Sequence, residues 1–109
     1  MNDDYLFAYG TLQDSEVQRY VFHRNLEGRP DTLRGYRISE KKMYGRYLVL
    51  EATKNPGDEI NGMAYGVTRP ELLKADVYEG PAYKRIPVSM ESGLKAWVYV
   101  EKVPEEKKA

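Results

Sequence analysis

Two segments of this chain carry groups suited to acid–base chemistry. The first is Tyr9-Gly10-Thr11-Leu12, where a strand end turns toward a helix. Such a turn presents consecutive backbone N–H groups that can hold a carboxylate or a developing oxyanion, and Gly10 permits the tight backbone. Taken alone, the tetrapeptide fits an ordinary strand–turn junction at least as well. The second segment is Asp76-Val77-Tyr78-Glu79-Gly80-Pro81-Ala82-Tyr83-Lys84-Arg85. Glu79 falls in the last turn of a helix, where unpaired carbonyls and the helix dipole disfavour negative charge. Burial would disfavour it further, and both effects raise a carboxyl toward the range where a general base works at neutral pH. On position alone, a solvated terminal glutamate is the commoner reading. Tyr83 and Arg85 are two apart on the following strand, so they share one face while Ile86, Val88 and Met90 take the other. That leaves Tyr83 and Arg85 on a polar face near Glu79, with Arg85 read as a structural partner of Asp76 or Glu79.

Composition removes other chemistries. The 109 residues include no cysteine, which excludes disulfides, thiolate metal sites and thiol nucleophiles and suits a reducing, cytoplasmic setting. His23 is the single histidine, so no zinc set is expected, and its place on the outer part of an amphipathic helix argues against a Ser–His–Asp triad. No phosphate-binding glycine pattern of the Walker or Rossmann type occurs. Lys plus Arg equals Asp plus Glu at 17 each, which gives no field to gather nucleic acid or anionic membrane as partners. Trp97 and Tyr99 alternate with Val98 and Val100, a pattern of core or rim packing rather than base stacking. Asp3-Asp4 and Glu105-Glu106 read as solvated charge pairs. The start, Met1-Asn2-Asp3-Asp4, is acidic and lacks a signal-peptide pattern, and no apolar run approaches the roughly 20 residues of a membrane span.

The elements that must position these groups can be read from local pattern. Tyr5 to Tyr9, ended by Gly10, reads as a buried strand. Ser15 and Gln18 have capping-box spacing ahead of a helix with Val17, Tyr20 and Val21 on one face, stopping near Asn25 with Gly28 and Pro30 beyond. Thr32–Ser39, Tyr47–Ala52 and Ile60–Val67 read as strands, with a turn at Asn55-Pro56-Gly57-Asp58. The glycines of the third of these strands imply close backbone approach. The charged stretch Arg37 to Arg46 fits a hairpin or a loop. Thr68 and Glu71 form a second capping box, with Pro70 in the first turn, Leu72, Leu73 and Val77 as the apolar stripe, and Gly80-Pro81 as the stop. Strands Tyr83–Met90 and Lys95–Glu101 follow, joined at Ser92-Gly93, and Pro87 places the first of them at an edge or bulge. The expected architecture is α+β: a small mixed β-barrel of about six strands with two short helices, one domain over residues 1–103 and a charged tail over 104–109.

In this order and at this separation, the two segments resemble the signatures of the γ-glutamylcyclotransferase-like family, in the branch of short chains similar to plant avirulence-induced proteins. Gly35-Tyr36-Arg37, Asn61-Gly62-Met63-Ala64-Tyr65 and Ala96-Trp97-Val98-Tyr99-Val100 fit the family's intervening and final strands, so the likeness covers nearly the whole chain. The resemblance implies a γ-glutamyl small molecule as substrate, cyclised to 5-oxoproline with release of an amine, and no cofactor or metal. It implies that Glu79 is the catalytic general base on the substrate's α-amino group. It also implies that Tyr9, Gly10, Thr11, Leu12 and Tyr83 bind substrate, the amides of Gly10, Thr11 and Leu12 holding its negatively charged part. Attack within one molecule gains from proximity once the substrate is held folded. Two departures from the family pattern bear on pocket shape: Arg46-Tyr47-Leu48 replaces a Tyr-Pro pair, and Ala75 stands where a larger aliphatic is common.

The leading expectation is therefore a γ-glutamylcyclotransferase-type enzyme. The alternative is a non-catalytic module that binds a small molecule or peptide end in the same pocket. An interaction or nucleic-acid role for the aromatic strand has little support from the residues.

Overall fold

A computed structural model describes residues 4–42 and 46–101. The chain opens with β1 (Asp4–Ala8), followed by a short 3-10 turn at Thr11–Gln13 and helix α1 (Ser15–Phe22). Then come β2 (Gly28–Arg34), β3 (Tyr36–Lys42), β4 (Arg46–Ala52) and β5 (Glu59–Val67). Helix α2 (Arg69–Glu79) and the strands β6 (Tyr83–Ser89) and β7 (Lys95–Glu101) complete the described residues. The fold is α+β, with two α-helices and mixed sheets. A five-stranded sheet has the order β2-β5-β1-β7-β6, and β3 and β4 form a separate two-stranded ribbon. All pairs are antiparallel except β1 with β7, which run parallel with Leu6 opposite Trp97.

Each half of the structure has its own core. On one face of the sheet, α1, α2 and the 3-10 turn bury Leu6, Ala8, Leu12, Phe22, Leu72 and Tyr99. On the other, the β3–β4 ribbon lies across β5 and β7 and encloses Phe7, Leu33, Leu50, Ile60 and Val98. β1 sits at the centre of the sheet with both faces covered. Its Leu6, Phe7 and Ala8 are therefore all buried, as the unbroken apolar run implied. Gly62 of β5 lies just past the end of this run, next to the partner of Ala8. A Cβ there would collide with the Ala8 carbonyl and stand 2.8 Å from Phe7 Cζ, which is the close approach the strand glycines implied.

Several local expectations need correction. The N-cap of α1 is Asp14, not Ser15: its carboxylate accepts from the N–H groups of Glu16 and Val17. Gln18 is consequently freed from a capping role and turns inward. The helix ends at Phe22, capped by His23 in the left-handed region, short of Asn25. Tyr20 is 79% exposed and belongs to the outer face, because α1 packs through Gln18, Val21 and Phe22. The strand expected at Thr32–Ser39 is two strands, broken where Gly35 adopts φ +84°. The first of them begins at Gly28 and tolerates Pro30 because β2 is a sheet edge. Within the charged stretch, residues 37–42 lie in β3 and Arg46 begins its antiparallel partner β4, which is the hairpin alternative; residues 43–45 lie outside the described residues, and the described strands number seven.

The capping box of α2 is as expected, with Thr68 accepting from the Glu71 N–H and Glu71 from the Thr68 N–H. Its apolar stripe is not. Leu73 is 54% and Val77 82% exposed, whereas Leu72 and Ala75 are fully buried. The inward stripe runs 72–75–79, and its last member is Glu79. Asp4 also departs from expectation: it is not solvated, but accepts from Trp97 Nε1 at 3.1 Å and faces Arg69 Nε at 3.2 Å. Asp3, Glu105-Glu106 and the tail 104–109 lie outside the described residues. No helix is long and apolar enough to cross a membrane among the described residues.

Candidate active site

A cavity of about 490 Å³ opens where the end of β1 meets the end of α2. That size suits a small-molecule site. Tyr9, Gly10, Thr11 and Leu12 line one wall, Glu79 and Tyr78 the other, and Tyr83 and Tyr99 contribute from β6 and β7. All six residues singled out from the sequence thus share one cavity. His23 caps α1 at the surface and does not line it.

The amide wall is built by the 3-10 turn. Gly10 O accepts from Gln13 N at 3.1 Å and Thr11 O from Asp14 N at 2.9 Å. The first N–H groups of any helical turn lack an intrahelical acceptor, so the bonds of this turn leave the amides of Gly10, Thr11 and Leu12 unused. Gly10 has φ −132°, and a Cβ there would meet nothing within 4 Å. The glycine is therefore not demanded by the protein's own packing; it leaves open space over the turn. Buried Gln18 pins the inner side: its Nε2 donates to Leu12 O at 2.8 Å and its Oε1 accepts from Leu26 N at 2.9 Å.

The acidic wall follows from the stripe of α2. Seven residues after Leu72, Glu79 returns to the inward face just as Gly80, at φ +88°, ends the helix. Burial pushes its carboxyl up from 4.5 to about 7. One turn earlier, Asp76 is treated in the opposite way. Burial works to raise it, but hydrogen bonds from Arg85 and Tyr99 and the Arg85 charge outweigh burial and hold it below the usual carboxylate range. Arg85 Nε and Nη2 donate to its two oxygens at 2.7 and 3.1 Å. The structural pair expected for Arg85 is therefore with Asp76. Two carboxylates on one helix turn are driven apart by their surroundings, the pattern of an acid–base site.

Tyr99 was not legible as a site residue, because its sequence context reads only as an aromatic strand. Its hydroxyl donates to Asp76 Oδ1 at 2.6 Å, and its carbonyl accepts from the Tyr9 hydroxyl at 2.8 Å. Burial, then the nearby acidic groups, keep both phenols neutral and raised well above the ordinary tyrosine value. They act as fixed polar walls. No group of three or more metal-ligating side chains occurs among the described residues.

The sequence pattern of the family described as gamma-glutamyl cyclotransferase, AIG2-like, matches residues 6–109. No curated protein matches the chain. Two solution structures from Arabidopsis thaliana are similar to it, each at 26% identity. One superposes with a TM-score of 0.76 over 94% of this chain and 71% of its own, the other with 0.70 over 93% and 65%. A structure described as a gamma-glutamyl cyclotransferase superposes with a TM-score of 0.66 over 91% of this chain and 66% of its own, and at 17% identity it shares the fold. The chain spans about two thirds of the length of these solved relatives. With the matched pattern running from β1 to the last residue, the chain belongs to the gamma-glutamyl cyclotransferase, AIG2-like family.

Proposed function

We propose that the protein cyclises a small γ-glutamyl amine or amide to 5-oxoproline and releases the amine, with Glu79 as general base. One observation carries the reading: a carboxyl raised by burial to about 7 shares a cavity with the amides of the Gly10–Leu12 turn. A base with that value is substantially ionised at neutral pH yet readily accepts and returns a proton.

In this reading the amides of Gly10, Thr11 and Leu12 hold the substrate's α-carboxylate. Tyr9 and Tyr83 flank the folded γ-glutamyl chain. Glu79 takes a proton from the α-amino group, whose lone pair then attacks the γ-carbonyl carbon. The new C–N bond closes the five-membered ring, the old amide C–N bond breaks, and the proton returns to the departing nitrogen. Nucleophile and electrophile belong to one molecule, so holding the folded conformer supplies much of the rate gain.

The test is to incubate the protein with γ-glutamylamines, γ-glutamyl dipeptides and glutathione and to assay 5-oxoproline. At least one compound should be converted, and Glu79→Gln should lower turnover by about 10²–10⁴-fold. Wild-type turnover in that variant would remove the mechanism.

A further inference from the structure

Thr11 and Tyr78 meet across the rim of the cavity. The Thr11 Oγ1 and the Tyr78 hydroxyl lie 2.9 Å apart, joining the amide turn to the last turn of α2. Both residues line the cavity, and Tyr78 immediately precedes Glu79. The inner side of the 3-10 turn is pinned through buried Gln18, whereas the hydroxyl pair at its outer side is exposed. It links two elements at their ends, since the 3-10 turn is three residues long and Gly80 terminates α2 just beyond Tyr78. An exposed side-chain hydrogen bond between element ends is a contact readily opened.

We propose that the Thr11–Tyr78 bridge is a specificity-determining strap that sets an upper size on the amine portion of the ligand. This rests on the reading of the cavity as a γ-glutamyl site. With the γ-glutamyl part held between the amide turn and Glu79, its substituent must leave through the rim that this pair spans. A small alkylamine passes with the bridge closed. A bulky arylamine requires the bridge to open and loses affinity by the cost of breaking it.

The experiment measures dissociation constants by calorimetry in the Glu79→Gln background, so that no ligand is consumed. The ligands are γ-glutamyl methylamide and γ-glutamyl naphthylamide. Tyr78→Phe or Thr11→Val should improve the naphthylamide-to-methylamide affinity ratio about threefold to tenfold, the worth of one hydrogen bond. The double variant should improve it no further than either single one, and Thr11→Ser, which retains the hydroxyl, should restore the original ratio. An unchanged ratio in Tyr78→Phe and Thr11→Val, with both ligands bound, overturns the strap and leaves the site reading standing. Failure of the small methylamide to bind Glu79→Gln protein overturns both. A ratio that moves as expected, in a protein that forms no 5-oxoproline, upholds the strap and removes the catalytic reading.

Discussion

Arg85 grips Asp76 one helical turn before Glu79, with Nε to Oδ1 at 2.7 Å and Nη2 to Oδ2 at 3.1 Å. The pair has a consequence for the site as well as for stability, because it neutralises the carboxylate that would otherwise sit closest along the helix to the candidate base. Arg85 is largely buried and its ring-face partner is Trp97, 4.6 Å from the guanidinium carbon. The cation is thus held from two sides and keeps Asp76 ionised.

Arg85→Met should therefore destabilise the fold by about 1–2 kcal/mol at pH 7, since Asp76 keeps solvent access that screens part of the loss. The pH dependence follows from the lowered Asp76 carboxyl. Such a group contributes stability above the ordinary carboxylate range, and the contribution disappears as pH falls through its folded value. Urea unfolding should show a deficit for Arg85→Met at pH 7 that shrinks toward pH 3. A deficit independent of pH would point to lost packing alone.

Glu79 carries the opposite sign. Its folded carboxyl titrates at about 7 against 4.5 as a free group. Below about pH 4.5 it is protonated in both folded and unfolded chains. As pH rises toward 7 the unfolded chain releases its proton first, so the native state loses stability, and the whole cost is present above 7. Glu79→Gln should consequently melt at a higher temperature than wild type at pH 8 and at an equal temperature near pH 4. Equal melting at both values would mean that the carboxylate is solvated.

The two glycines near the end of β1 should respond differently to a methyl group. Gly62→Ala drives a Cβ into the Ala8 carbonyl and the Phe7 ring and should cost about 1–3 kcal/mol. Gly10→Ala meets nothing and should leave the melting temperature within a degree or so of wild type, while filling space over the amide turn. Thermal melts paired with γ-glutamyl ligand titrations check both. A folded Gly10→Ala protein with wild-type affinity would show that no ligand occupies that space.

Gln18 is buried with hydrogen bonds to Leu12 and Leu26. Gln18→Leu leaves that carbonyl and that N–H unpaired and should lower stability by about 1–3 kcal/mol. Because Leu12 closes the amide turn, KM should rise more than kcat falls. A parallel loss in both constants would place Gln18 outside substrate positioning.

Much of this arrangement was legible in residues whose local chemistry has one outcome. Thr68 with Glu71 starts a helix, Gly80-Pro81 stops it, and Asn55-Pro56-Gly57-Asp58 turns the chain, whatever lies elsewhere. The two signatures at residues 9–12 and 76–85 carried the family and the cavity. What escaped depended on choices between near-equivalent neighbours or on distant contacts. Asp14 and Ser15 are both good caps, and tertiary packing selected the first, which released Gln18 into the core. Leu73 and Val77 look like the apolar stripe of α2 by hydrophobicity. They lie about 100–140° around the helix from Leu72, and the stripe that packs runs through Ala75 to Glu79. Following that alternative stripe would have indicated burial of Glu79 from the sequence. Tyr99 joins the site through contacts separated by 23 and 90 residues and Tyr78 through one separated by 67, which no local pattern encodes.

The proposed cyclisation requires Glu79 to be a desolvated proton acceptor facing the amide turn. Titrating its side-chain carboxyl ¹³C resonance against pH tests it most directly, with Glu79→Gln supplying the assignment. The expected midpoint lies near 7 and moves when a γ-glutamyl ligand is added. A midpoint near 4.5, indifferent to ligand, would contradict it.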